Sequence, residues 1–171
     1  MDSTAETMNQ GQGMADRIAS VQAAGLTGLM AGVVGAMLLW LHRAAALGWA
    51  EAAASTIDGF TGITFWVSAA SAALSGALFG ITYRYVVRQD PSSYLRSGVI
   101  FAFSFVRGLA LVNVGAAVSM MGWPFLVAIT ESLLMFALAA ALLELALRRG
   151  WIATVAGRME PEPPPSPDPM G

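Results

Sequence analysis

Three charged residues lie inside long apolar stretches of the sequence, and these residues are the most able to do chemistry. Arg107 interrupts one stretch, and Glu131 and Glu144 interrupt another. A charge within a membrane span is costly, so such residues usually face protein or water and often mark a transport or binding site. A carboxylate at that depth could exchange a proton or a cation, and a guanidinium could neutralise a carboxylate.

Depth and side-chain direction predict which carboxylate pairs with Arg107. At roughly 1.5 Å per residue, Glu144 lies about 6 Å, Arg107 about 16 Å and Glu131 about 25 Å from one membrane surface. Helical side chains lean towards the N-terminus of their own helix, so Glu144 leans towards Arg107 and Glu131 leans away. We therefore predict an ion pair between Arg107 and Glu144. Glu131 is left near Asn113, a possible hydrogen-bond donor, as a candidate site for a proton, a cation or a partner protein.

The sequence lacks the residues that other catalytic mechanisms and metal sites would need. The chain has no cysteine and one histidine, His42, which excludes thiolate and multi-histidine metal sites and a cysteine nucleophile. The Ser/His, paired-Asp and metal motifs of intramembrane proteases are absent. We therefore predict neither an enzyme nor a metal site, and the sequence implies no cofactor. His42 is expected to mark a membrane surface.

The composition predicts a membrane protein. Of 171 residues, 56% are hydrophobic and only 12% are charged, and the mean hydropathy is +0.63. A soluble monomer needs more polar residues to cover its surface. The net charge of −2 excludes a nucleic-acid binder, which needs excess positive charge. We therefore expect a lipid bilayer around the chain.

Four apolar stretches are each long enough to cross about 30 Å of hydrocarbon as a helix. They run over residues 18–41, 63–87, 97–121 and 124–147. Between the last two, Gly122 suits a position just past a helix end and Pro124 suits the first turn of the next helix, which predicts a helical hairpin. The predicted fold is all-α, a four-helix transmembrane bundle within residues 16–150.

Three segments flank or connect these helices. Residues 1–15 are mostly polar and are expected to form a flexible tail. Residues 151–171 contain an acidic, proline-rich run, which removes backbone donors and predicts an extended tail. Residues 42–57 are alanine-rich and either extend the first helix or lie as a short helix in the membrane interface.

Arginines predict the orientation of the bundle, since all nine basic residues are arginine. Seven fall on the side of the two termini, namely Arg17, Arg84, Arg88, Arg96, Arg148, Arg149 and Arg158. Only Arg43 falls on the other side. Basic residues are enriched in cytoplasmic loops, so both termini are expected to face the cytoplasm, or the stromal side of a photosynthetic membrane.

Three of these arginines cluster near the end of the second helix and the start of the third, namely Arg84, Arg88 and Arg96. We expect them to reach lipid headgroups. As an alternative, they form a docking patch for an anionic lipid or an acidic partner loop.

Small residues recur at helical spacing in the first two helices. Gly28 and Gly32 form a GxxxG motif, and Gly76 and Gly80 continue a four-residue spacing in the second helix. Lipid removes the hydrophobic drive between helices, so close backbone approach matters more there. We predict that these two faces pack together or meet a partner protein.

Two runs in the middle of the chain, GITYRYVVRQD at 80–90 and LRSGVIFAFSFVRGL at 95–109, carry a resemblance. Together they resemble a family of small multi-pass membrane proteins of cyanobacteria and chloroplasts. The positions that look family-like are Arg84, Arg88, Arg96 and Arg107. The resemblance implies a photosynthetic organism and a thylakoid or bacterial inner membrane, and it implies no activity.

Two functions remain open from the sequence. The first, which we favour, is a structural or accessory membrane protein, a small subunit or assembly factor that binds other membrane proteins or itself. The second is a small oligomeric transporter or channel subunit that couples to protons or cations through Glu131. Small multidrug transporters also have four spans, but they carry an essential glutamate in their first helix, and residues 18–41 contain no acid.

Overall fold

The computed structural model describes residues 2–89, 92–117 and 122–152, which form five helices and, within those ranges, no strand. The helices are α1 (Asp2–Leu47), α2 (Trp49–Ala54), α3 (Gly59–Gln89), α4 (Ser93–Ala117) and α5 (Trp123–Arg148). All but the short α2 contain a stretch that is long and apolar enough to cross a membrane. The predicted all-α bundle of four membrane-spanning helices is therefore confirmed.

The first helix is longer at both ends than predicted. Its backbone is helical from Asp2, within the segment expected to be a flexible tail, and it continues to Leu47. Gly48 then breaks the helix with a φ of 90°, a conformation that glycine adopts without strain. Because α2 follows at once, residues 42–57 both extend the first helix and form a second, short one.

Where the structure describes the turns between the other helices, their conformations are those that the local sequence predicts. Gly122 has a φ of 92°, and Pro124 lies in the first turn of α5. α4 and α5 pack against each other as an antiparallel hairpin. Residues 153–171, the main part of the predicted extended tail, lie outside the described residues, as do Asp90, Pro91 and Met121.

α1 and α3 form the largest helix contact, and the small residues of both helices lie in it. A methyl group added at Gly28 would meet the backbone oxygen of Ala73 at 3.0 Å. A methyl group at Gly80 would overlap the Thr27 hydroxyl. Gly32 and Gly76 are equally crowded, by Ala73 and by the Thr27 backbone. The two backbones therefore approach so closely that glycine is required, as in small-residue membrane interfaces.

α3 and α5 each contact the three other long helices, whereas α4 lies at the edge. In its described part, α4 packs on α5 and, over a smaller area, on α3, and it has no contact with α1. Among residues 93–113 only Ser104 and Gly108 are fully buried. One side of α4 is therefore left for lipid or for another protein.

A cluster of three rings crosses the middle of the bundle. The centroids of Phe79, Phe103 and Phe136, from α3, α4 and α5, lie 5.1 to 5.7 Å apart. We call this cluster the aromatic layer. It lies between the end that holds α2 and the start of α5, the cavity end, and the opposite end, the network end.

Candidate functional site

A cavity of about 270 Å³ lies between α1, α3, α4 and α5 at the cavity end. Its polar lining comes from all four helices and comprises His42, Ser68, Arg107, Glu131 and Ser132. Leucine, phenylalanine, valine and methionine side chains form most of the remaining wall. Since one water takes up about 30 Å³ of liquid, the volume corresponds to roughly nine waters or one small molecule.

Arg107 reaches the cavity from the middle of α4 and is half-buried. Its Nη1 donates a long hydrogen bond, 3.4 Å, to Oγ of Ser75. Among the described residues this is its one hydrogen bond, and it forms no ion pair with any of them. A guanidinium carries five N–H donors, so most of the donors of Arg107 are left for water or for a ligand.

Glu131 reaches the same cavity from α5 and is also half-buried. Within the described part of the chain, its carboxylate accepts no hydrogen bond and joins no ion pair. The suggested donor, Asn113, is exposed and does not line the cavity. The structure therefore brings Glu131 together with Arg107 around one cavity and leaves Asn113 outside it.

The predicted ion pair between Arg107 and Glu144 is not formed. Oε1 of Glu144 accepts hydrogen bonds from the Tyr83 hydroxyl at 2.6 Å and from Nη1 of Arg96 at 3.3 Å. Oε2 lies 3.8 Å from Nη2 of Arg148. The prediction failed because Arg96 stands at the depth of Glu144, whereas Arg107 lies about three turns farther along α4. We call Tyr83, Arg96, Glu144 and Arg148 the end network.

Arg84 and Arg96 also differ from the surface docking residues that we predicted. Arg84 is only 2% exposed, and its guanidinium bonds Oδ1 of Asp16 at 3.2 Å and Oγ of Ser20 at 2.7 Å. It therefore joins α3 to α1. Arg96 is committed to Glu144, and the side chain of Arg88 lies outside the described residues. A headgroup patch of these three arginines is thus not formed as predicted.

At the cavity end, Arg43 fixes the link between α1 and α3. Its Nη1 donates to the backbone oxygen and to Oγ of Ser55 at 2.7 and 3.0 Å, and to the backbone oxygen of Thr61 at 3.3 Å. The guanidinium also lies 5.3 Å from the centre of the Phe65 ring. This single arginine therefore holds the residues after α2 against the start of α3.

The sequence interpretation missed His42, Ser68 and Ser132 as parts of the cavity. A signal for His42 was present, because Gly35, Leu38, Leu39 and His42 follow the i, i+3, i+4, i+7 spacing of one helix face. His42 is exposed, as expected of a surface residue, and it lines the cavity as well. The serines were missed because a single serine in a span does not show which face of the helix lines a cavity.

The described residues bring together no group of three or more histidine, cysteine, aspartate or glutamate side chains that could hold a metal ion. The polar groups of the cavity are one guanidinium, one carboxylate, one imidazole and two hydroxyls. Such a site can bind charged groups of either sign.

Comparison of the chain with protein-family models, with curated proteins and with solved structures finds no match. The class of the protein follows from the fold instead: it is a multi-pass α-helical integral membrane protein. Its distinguishing feature is a cavity between the spanning helices whose mostly apolar wall carries a guanidinium and a carboxylate.

Proposed function

We propose that the protein is a small membrane transporter whose solute site is the cavity between Arg107 and Glu131. One observation carries the proposal. A guanidinium and a carboxylate border the same cavity at membrane depth, and neither has an ionic partner among the described residues. Charges at that depth are expensive and typically mark substrate or ion pathways. A purely structural pair would satisfy both charges directly.

The layering of the bundle supports the same function. From the cavity, the aromatic layer comes first, and the end network follows it. A transporter exposes its central site to one side of the membrane at a time, so one end must be closed while the other is accessible. In this arrangement the end network and the aromatic layer form the closed side.

The arginine distribution supports an orientation for this transport. We propose that the network end, with both termini, faces the cytoplasm, because basic residues favour that side. The cavity then opens away from the cytoplasm. The membrane would be a bacterial inner or thylakoid membrane, on the resemblance of residues 80–90 and 95–109.

Glu131 is the residue that we assign to coupling. It is the single carboxylate in the cavity lining, so it is the group that takes up the coupling proton or cation. The lining comes from four helices of one chain. A second copy is therefore not needed to build the site, in contrast to the oligomeric transporter considered from sequence.

An accessory subunit remains the second candidate, and one observation favours it. The outer side of α4 carries large exposed apolar residues, among them Phe101, Phe105 and Val106. The rings of Phe101 and Phe105 stack with centroids 6.3 Å apart. A partner subunit could cover this side, and native electrophoresis of gently solubilised membranes would detect the complex.

Uptake into vesicles tests the transporter function. The purified full chain is reconstituted and offered a mixture of small polar metabolites, and the vesicle contents are measured by mass spectrometry. We expect at least one solute to accumulate with the wild type but not with Glu131→Gln. Glu51→Gln, which removes an exposed carboxylate of α2, is the matched control and should behave like the wild type. Equal contents in wild-type, Glu131→Gln and protein-free vesicles would contradict the proposal.

A further inference from the structure

The charges of the cavity restrict what can fill it. A simple anion would neutralise Arg107 and leave Glu131 unpaired, and a simple cation would do the reverse. Removing one partner of a buried pair is costly because the other charge is left uncompensated, and the same cost applies to a cavity that is only half neutralised. A single molecule with both charges satisfies the two residues together.

We infer, on the basis of the proposed function, that the solute is a small zwitterion. Its acidic group binds Arg107, and its ammonium group binds Glu131. The ligand carries one anionic and one cationic group in a single compact molecule. It is a free solute of the size of an amino acid.

The geometry of Arg107 suits the acidic group. The hydrogen bond to Ser75 engages only one of its terminal nitrogens and ties the side chain to α3. The other donors form a planar fork that matches a carboxylate, and this match is specific to arginine. Arg107 is therefore positioned by the protein while most of its donors remain available to a ligand.

The position of Glu131 suits the ammonium group. It stands on α5 and Arg107 stands on α4, so a ligand that touches both would bridge the two arms of the hairpin. Beside Glu131, the Ser132 hydroxyl donates to the backbone oxygen of Ala128 at 2.8 Å, which leaves its oxygen able to accept a second hydrogen bond. The ammonium end of the cavity thus offers acceptors.

The size and the wall of the cavity limit the rest of the molecule. About 270 Å³ has room for a molecule of the size of an amino acid. Most of the remaining wall is apolar, with Leu111, Phe125 and Met135 among its members. A short hydrocarbon segment that joins the two charged groups fits this wall, because it gives up no hydrogen bonds on leaving water.

Binding to the purified full chain tests the inference, with three compounds of matched length as probes. These are 4-aminobutyrate, butyrate and butylamine. A series of zwitterions from glycine to 6-aminohexanoate then measures how the affinity depends on the distance between the two charges. Since a ligand that binds the folded state raises the unfolding midpoint, the midpoint as a function of concentration gives each Kd. We expect at least one zwitterion of the series to bind about tenfold or more tightly than butyrate and butylamine.

Variants connect this binding to the two residues. Arg107→Gln and Glu131→Gln should each abolish the preference for the zwitterion, and Glu51→Gln should keep it. Arg107→Lys keeps the charge without the fork, so it should weaken binding without abolishing it. This variant also serves if Arg107→Gln does not fold.

The possible failures are distinguishable. If butyrate or butylamine binds as tightly as every zwitterion, or if no compound of the series binds, the inferred solute class is wrong, while vesicle uptake still decides the transporter function. Lysophosphatidylethanolamine, a lipid whose headgroup carries the same two charges, tests whether the cavity binds a lipid headgroup instead of a free solute. Stabilisation by this lipid alone would assign the cavity to a headgroup and would contradict a free solute.

Discussion

Tyr83 of α3 donates the hydrogen of its hydroxyl group to Oε1 of Glu144 on α5 over 2.6 Å. The same oxygen accepts from Arg96 on α4, so one carboxylate joins three helices. The side chain of Glu144 is 27% exposed, whereas Tyr83 is buried. The end network therefore lies at the periphery of the bundle, with its aromatic member inside.

Tyr83→Phe should destabilise the bundle by about 1 kcal/mol, because a hydrogen bond to a charged group is lost while the ring packing stays. Denaturant unfolding in detergent measures the change. Tyr94→Phe is the matched control, since Tyr94 is 88% exposed, and it should have no measurable effect. Equal stability of the two variants would show that the bond to Glu144 contributes nothing.

Gly80→Ala should cost about 1 to 3 kcal/mol of stability, because the added methyl group overlaps the Thr27 hydroxyl and forces α1 and α3 apart. Gly98→Ala on α4 is the contrasting change. No atom lies within 4 Å of the new methyl group there, so the helix should gain up to about 1 kcal/mol. Unfolding midpoints of the two variants are expected on opposite sides of the wild type.

Arg84→Gln should destabilise the protein by about 2 to 4 kcal/mol, because it removes a buried guanidinium that bonds Asp16 and Ser20. The partial exposure of Asp16 keeps the loss towards the lower end of this range. Arg17→Gln changes an exposed arginine one position from Asp16 and should be neutral. If Arg84→Gln and the wild type unfolded at the same denaturant concentration, the contact between α1 and α3 would not depend on this ion pair.

Glu131→Gln should raise stability by about 1 kcal/mol or more while it abolishes uptake, because an unpaired charge at membrane depth costs free energy in the folded state. Functional sites commonly lower stability in this way. Unfolding and vesicle uptake of the same preparation give both quantities. A variant that lost both stability and uptake would indicate that the carboxylate has a structural partner.

The sequence predicted the elements well because each depends on local properties. The length of the apolar stretches predicts the spans, and Gly122 and Pro124 predict the hairpin. The glycine spacing identified the residues that lie between α1 and α3, because a residue without a side chain is needed wherever two backbones meet.

The site could not be predicted to the same extent. The depth of a residue along its helix does not determine which residues of the other helices lie beside it. Glu144 was matched to the other arm of its hairpin, whereas Tyr83 comes from a third helix. Arg84 was expected at the headgroups because it lies near the end of the second predicted span, and the first span was predicted to begin at residue 18, two residues after Asp16. Once α1 extends through Asp16, this carboxylate lies beside Arg84.

The charged side chains of the cavity end also set the electric field outside the bundle. Arg43 keeps its positive charge there, because its partners in Ser55 and Thr61 are neutral, while Glu51 and Asp58 stand exposed and carry two negative charges. The three side chains sum to one negative charge, whose attraction for cations is weak and is screened by salt within a Debye length. Glu51→Gln removes this net charge without touching the cavity, so it separates any effect of the surface field from binding within the cavity.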